Sequence, residues 1–277
     1  MGLRISTNVS AINAQRVMTS SQRAISKSME QLSSGSRINR SSDDAAGLAI
    51  SEGLKAQTRS LSQASRNAND GISLIQTAEG GMSEISNILV RMRELGVQAS
   101  SDTVGEAERG FLNKEVTQLK AEAQRITETT RYGNTKLLDG TGDKFDFQVG
   151  IGNDDNADRI QYNAGDTNTG IDSLGIADFD FSTKQGAQVA LEAVDQAQVK
   201  LNGYRSDLGA LQNRLQSTVD NLGVQHENLS AANSRIRDTD IASATADATR
   251  NQVLLQANAS VLAQANTLPN AAFKLIG

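Results

Sequence analysis

Leu32-Ser33-Ser34-Gly35-Ser36-Arg37-Ile38-Asn39-Arg40-Ser41-Ser42-Asp43-Asp44-Ala45-Ala46-Gly47-Leu48-Ala49-Ile50-Ser51 reads as a helix stop, a polar link and a helix start in one run. Gly35 can take the left-handed conformation that closes a helix at low steric cost. Ser42, Asp43 or Asp44 can supply the N-cap oxygen of a second helix, whose small apolar residues begin at Ala45. Gly35, Asn39, Asp43 and Asp44 are therefore the positions expected to shape a link between two helical segments. The sequence on either side decides what those segments are.

Upstream, Ile5, Val9 and Ile12, then Ile25, Met29 and Leu32 recur at three- and four-residue spacings, the period of one helix face. The stripe is interrupted by small and polar residues, so a helix here is marginal in isolation. Residues 1–40 carry Arg4, Arg16, Arg23, Lys27, Arg37 and Arg40 against Glu30 alone. A basic amphipathic helix can lie on a membrane, but with so thin a stripe a partner helix is the expected neighbour.

Downstream, Leu61, Ala64, Ala68, Ile72, Ile75, Ala78, Met82, Ile85, Leu89 and Met92 follow one another by threes and fours, a coiled-coil seam sustained over several heptads. After a polar break at 100–105 comes a second helix, with Phe111, Leu112, Val116, Leu119, Ala123 and Ile126 expected on one side. Gly133 and Asn134 suit a turn. Residues 139–183 change character: Phe145, Phe147, Val149 and Ile151 alternate, as do Ile160 and Tyr162, across the turn-rich Gly152–Asn156, which predicts a β-hairpin. Ten Asp against Lys144 and Arg159 make this the acidic stretch, expected to be a solvated surface insertion. A second seam follows through Val194, Ala197, Leu201, Tyr204, Leu208, Leu211, Leu215, Thr218, Leu222, Gln225, Leu229 and Ala232. The periodicity then thins through Ile241, Ala248, Leu254, Val261 and Leu262, with Pro269 expected to limit the last helix. The fold class is mainly α: long antiparallel coiled-coil helices with a small β-hairpin insertion.

Composition narrows the function. Aromatics are 3%, with no Trp and one Pro, which suits long helices packed side by side and not a ring-filled globular core. A net charge of −5 gives no overall pull toward nucleic acid. Without cysteine there is no disulfide framework and no thiolate metal site. No apolar run is long enough for membrane insertion. Met1–Thr7 lacks the layout of a cleaved signal, so export, if it occurs, is expected by another route.

Chemistry is hard to find. His226 is the single histidine and has no second His or Cys to work with. The loops opening at Asp139 and Asp154 lack the glycine at position six and the glutamate at position twelve of a calcium loop. Gly150-Ile151-Gly152 lacks the third glycine of a phosphate-binding turn. The sequons at Asn8, Asn39, Asn228 and Asn258 require a transferase. No catalytic residue, metal ligand or cofactor site is assigned. What remains is surface. Neither end can bury its stripe within one chain, so Ile5, Val9, Ile12, Ile25, Met29, Leu32, Ile241, Leu254, Val261 and Leu262 are expected to pack on copies of the same chain. A head-to-tail contact of that kind grows a helical polymer.

Residues 32–51 closely resemble the N-terminal signature of bacterial flagellins. So do Asn8–Arg16, Leu89–Gln98, Thr129–Gly140 and, at the other end, Asn228–Asp240 with Asn251-Gln252 and Leu262–Asn266. The resemblance implies a secreted, extracellular subunit of the flagellar filament, exported unfolded through the flagellar type III channel and serving swimming motility. It implies that residues 1–43 and 239–277 pair as the inner filament core and that 44–238 form an outer rod, with the insertion near 139–183 replacing the larger outer domains of longer relatives. Implied partners are further copies, a flagellar cap, hook-junction proteins and an export chaperone. The host receptor TLR5 is a further one, with Arg91, Leu95 and Glu115 at the matching positions. The rival readings are a hook–filament junction protein and a soluble coiled-coil adaptor.

Overall fold

A computed structural model describes residues 7–276, with side chains described through Thr267. Its helices are α1 (Val9–Ser34), α2 (Ala45–Ala99), α3 (Glu106–Thr129), α4 (Ile171–Leu174), α5 (Lys184–Arg237) and α6 (Ile241–Ile276). Between α3 and α4 lie strands β1 (Arg131–Tyr132), β2 (Thr135–Lys136), β3 (Lys144–Gln148) and β4 (Arg159–Asn163). The chain divides into two compact units, Thr58–Glu227 and the two end segments, residues 1–57 with 228–277. The architecture is the mainly helical one expected, and α2 and α5 each contribute to both units.

Within Thr58–Glu227, α2 and α5 run antiparallel, as three cross-helix pairs record. Arg93 Nε meets Asp195 Oδ1 at 2.6 Å, Gln198 Nε2 donates to Ser86 Oγ at 2.8 Å, and Arg205 lies 3.8 Å from Glu79. The α2 seam is buried from Leu61 to Met92, with Ile72 half-buried against it. On α5, Val194, Leu201, Leu208, Leu215 and Leu222 are buried at strict seven-residue intervals, the mark of a coiled-coil seam. α3 folds back along α2: Arg91 pairs with Glu115, and the buried Arg109 donates to the carbonyls of Ala99 (2.8 Å) and Ser101 (2.9 Å). The Ala99 oxygen lies at the end of α2, where no further helical turn follows, and the Ser101 oxygen just beyond also accepts from the Val104 N–H at 3.4 Å. Phe111 departs from expectation. It is 68% exposed, while Val116 and Ala123 are buried, because Phe111 sits a full 100° around the helix from Leu112.

β3 and β4 form the antiparallel hairpin, Phe145 opposite Tyr162 and Phe147 opposite Ile160. Gly133, at φ 60°, makes the tight turn between β1 and β2. The 139–183 stretch is not the solvated surface insertion its aspartates suggested. Val149, Ile160, Tyr162, Leu174 and Ile176 are buried in one core with α2 and α5, and Phe181 is fully buried in a second, smaller cluster with Leu95 and Val116. Two α2 glycines allow close approach, Gly71 to this stretch and Gly81 to the segment just before it. A Cβ on Gly71 would lie 3.1 Å from the Phe147 ring, and one on Gly81 would lie 2.7 Å from Thr130 Oγ1. Lys120 anchors the far end, donating to the carbonyls of Ala177 and Phe179 with its ammonium 3.9 Å over the Phe179 ring.

Candidate assembly surface

The unit made of the two ends is built on α1 and α6, which pack antiparallel. At one extreme Asn8 Nδ2 donates to the Ala265 carbonyl at 2.8 Å; at the other the Thr239 N–H donates to the Gly35 carbonyl at 3.0 Å. The residues buried in α1 are Ala14, Ser21 and Ser28, seven apart, and those in α6 are Ala244, Ala248 and Ala265. Among the described side chains the fully buried seam positions are thus small, which lets two backbones approach closely, and the larger Met18, Ile25, Leu32, Leu255 and Leu262 on the same repeat are only half-buried, so the seam buries limited apolar area.

Several large apolar side chains face away from it. Val9 is 63% and Ile12 58% exposed; Met29, Ile241, Leu254 and Val261 are exposed as well. Ile25, Leu32 and Leu262 are half-buried. Ile5 lies outside the described residues. Of the nine described stripe positions, Ile25, Leu32 and Leu262 continue the three- and four-residue repeat of the buried seam residues, and the other six stand in water.

The link is more ordered than a polar connector. Gly35 closes α1 at φ 67°, in the left-handed region. Of the three candidate caps, Asp44 starts α2, its Oδ1 accepting from the Gly47 N–H at 2.8 Å. Asp43 instead ties the link to α1: Oδ1 meets Lys27 Nζ at 2.8 Å, and Oδ2 accepts from the N–H groups of Arg40 and Asn39. The Lys27 ammonium and the Arg40 N–H hold the Asp43 carboxyl below the usual carboxylate range. Asn39 Nδ2 donates to the carbonyls of Ser36 and Glu30. Ser36 and Asp238 form an antiparallel bridge, Arg37 donates through its backbone to the Arg237 carbonyl at 2.6 Å and through Nη2 to the Ile236 carbonyl at 2.8 Å, and Arg237 pairs with Glu52. Ile38, unremarked in the sequence, is fully buried here.

Two further residues carry more than their spelling announces. Asn8 Oδ1 caps α1 by accepting from the Ala11 N–H at 3.0 Å, while its Nδ2 reaches the Ala265 carbonyl. That oxygen has no helical donor, because residue 269 is proline and has no N–H. The expectation that Pro269 limits the helix is corrected accordingly: α6 continues to Ile276, and the carbonyl that proline strands is satisfied from α1.

At the receptor-matching positions, Arg91 and Glu115 are exposed, Arg91 being shared between Glu115 (2.8 Å) and Glu94 (3.0 Å). The hydrogen bond to Glu94, followed by the hydrogen bond and charge of Glu115, raises the Arg91 guanidinium above its ordinary value. Leu95 is not a surface residue. It is 1% exposed, packed with Val116 and Phe181, because it lies one turn on from the buried Met92 on the same face.

The described residues include no cluster of three metal-ligating side chains and no helix long and apolar enough to cross a membrane. Charge is distributed unevenly. Residues 1–57 and 228–277 hold 11 Lys and Arg against 7 Asp and Glu, a net +4, whereas 58–227 hold 16 against 25, a net −9.

Comparison with known proteins places these features. Residues 5–143 match the family model of the bacterial flagellin N-terminal helical region, and 191–276 that of the bacterial flagellin C-terminal helical region. A flagellin of Halalkalibacterium halodurans is 46% identical over 272 residues, covering 98% of this chain and 99% of its own. Polar flagellin C of Vibrio parahaemolyticus is 34% identical with both chains fully covered; that alignment runs to 383 positions, about a hundred more than the 277 residues here. Among solved structures, the crystal structure of Bacillus cereus flagellin is similar at a TM-score of 0.51 and 31% identity, covering 61% of this chain and 94% of that one. A putative flagellar hook-associated protein from Vibrio parahaemolyticus shares the fold, with a TM-score of 0.59 at 15% identity over 71% of this chain and 100% of its own. With both helical regions matched and a relative aligned nearly end to end, this chain belongs to the bacterial flagellin family.

Proposed function

We infer that this chain is the structural subunit that polymerises into the extracellular helical filament of the bacterial flagellum, and that filament growth runs through its paired terminal helices. One observation carries the reading: α1 and α6 fully bury only Ala and Ser among the described side chains and leave Val9, Ile12, Met29, Ile241, Leu254 and Val261 in water. Exposed apolar residues in such number mark a contact surface, and further copies of the chain complete it. Residues 1–43 with 239–277 form the filament core in this reading, and 44–238 the outer rod. The role is structural, and its resources are packing surfaces.

Export through the flagellar type III channel, a cap at the growing tip, hook-junction proteins at the base and a chaperone for the terminal helix are the partners that membership of the family suggests. Recognition by the host receptor would fall on Arg91 and Glu115, whose side chains are accessible. The test is electron microscopy of purified protein: long fibres are expected from the whole chain and none from residues 44–238. A fixed small oligomer from the whole chain, with no fibres at any concentration, would refute the reading and favour an adaptor.

A further inference from the structure

Between α5 and the loop joining β3 to β4 lies a cleft of about 650 Å³ that subunit assembly leaves unused. Its floor is aliphatic, made by the buried Leu61, Val149, Ile160 and Leu222. Its rim is amide and hydroxyl. Asn213, Ser217, Asn221 and Gln225 follow one another by four residues, which stacks them along one flank of α5. Asn156 adds another amide from the loop. Asn221 and Gln225 bond each other, whereas the side chains of Asn156, Asn213 and Ser217 have no partner among the described residues.

The loop wall is built, not slack. The Asp158 carboxylate accepts from the N–H groups of Gly152 (3.2 Å) and Asp154 (3.0 Å), and its carbonyl takes those of Val149 and Gly150. Arg159 adds bonds to Asn153 Oδ1 at 2.6 Å and Gln148 Oε1 at 3.1 Å. With these N–H groups turned inward, the loop offers no strand edge to an extended peptide. Charge selects as well. Arg214 and Asp158 are the one cation and the one anion of the lining, in a unit of net −9, so a polyanion gains nothing there. A wholly apolar ligand would strip water from the rim amides and give them no partner.

We propose that this cleft binds a neutral oligosaccharide. Each sugar hydroxyl both donates and accepts, as the amides and the serine of the rim together do, while the C–H faces of the rings cover the aliphatic floor. Arg214 also lines an adjoining notch of about 300 Å³ that holds the half-buried Tyr204, so a chain of several sugars has room to extend. The site lies within Thr58–Glu227 and does not depend on the filament reading.

The experiment is calorimetric titration of the full chain, kept monomeric, with chitotetraose and with cellotetraose. Saturable binding is expected for chitotetraose, whose acetyl methyl groups match the floor, with a Kd below about 1 mM. It should be unchanged in about 0.5 M salt, since no charge is neutralised. Asn213→Ala and Asn221→Ala each remove a hydrogen-bonding partner and should weaken binding about fivefold. Asn202→Ala, on α5 outside the cleft, should leave it unaltered. Circular dichroism checks the helix content of each variant. Saturable binding of neither sugar, tighter binding of tetra-alanine or of a heparin tetrasaccharide, or full affinity in both folded cleft variants would each overturn the proposal. The choice of the unaltered chain among these ligands decides it even where a variant misfolds. Fibre formation is scored separately by microscopy, so a chain that binds sugar without polymerising refutes the filament reading alone.

Discussion

Replacing Ile12 with serine separates the two uses a helix can have for an apolar side chain. Ile12 is 58% exposed in the subunit. Full burial of a side chain of this size is worth about 1.5–3 kcal/mol, so covering the exposed fraction yields roughly 1–1.7 kcal/mol per subunit added. Ile12→Ser should therefore raise the critical concentration for polymerisation about 5- to 20-fold. The subunit itself should barely respond, since an exposed substitution typically shifts stability by less than about 0.5 kcal/mol. Sedimentation of polymer across a concentration series gives the first quantity and thermal melting of the monomer the second. Ala14→Leu supplies the contrast: Ala14 is buried in the α1–α6 seam, and overpacking there should destabilise the monomer by about 1–3 kcal/mol. The reasoning fails if Ile12→Ser melts the monomer early and leaves the critical concentration untouched. That result would mean the side chain serves its own chain.

Leu208→Ala, at a fully buried heptad position of α5, should cost about 2–5 kcal/mol by urea unfolding. Gly81→Ala gains helix propensity, but its methyl would lie 2.7 Å from Thr130 Oγ1 and 2.8 Å from Leu138 Cδ1, so the melting midpoint should fall and not rise. Arg109→Ala strips two charge-assisted hydrogen bonds from the carbonyls of Ala99 and Ser101 and should cost about 2–3 kcal/mol. Because the folded carboxyl of Asp43 titrates below its unfolded value, its contribution is present above the unfolded range near pH ~4 and is lost as pH falls through the lower folded value. Limited proteolysis of the link should accelerate over that acidic interval, and Asp43→Asn should flatten the dependence.

Much of the fold is legible because its core is spelled in large residues at regular spacing. Leu61 through Met92 and Val194 through Leu222 announce a helical seam by hydropathy alone, and the alternation around Phe145, Phe147, Ile160 and Tyr162 announces the hairpin. The assembly unit hides its internal seam for the opposite reason. Ala14, Ser21 and Ser28 have almost no hydropathy signal, so the eye follows Val9 and Ile12, which face the other way. Leu174, Ile176 and Phe181 were masked by the aspartates around them, since composition averages over a stretch while burial is decided residue by residue. Phe111 and Leu95 show how strictly helical phase decides: Leu95 keeps the face of Met92 and is buried with Val116 and Phe181, whereas Phe111 lies 100° around α3 from Leu112 and is exposed.

Helices whose fully buried seam positions are alanine and serine, with Ile25, Leu32 and Leu262 only half-buried, have few knobs to index them, and sliding one past the other by a turn would change their fit little. Asn8 removes that freedom. Within a helix a carbonyl finds its donor four residues ahead, but the one four residues before Pro269 does not. The amide can dock at one notch only. A slip of a single turn, about 5.4 Å, would strand that oxygen and shift one set of outward side chains against the other, and in a polymer the misalignment would recur at each subunit along its length.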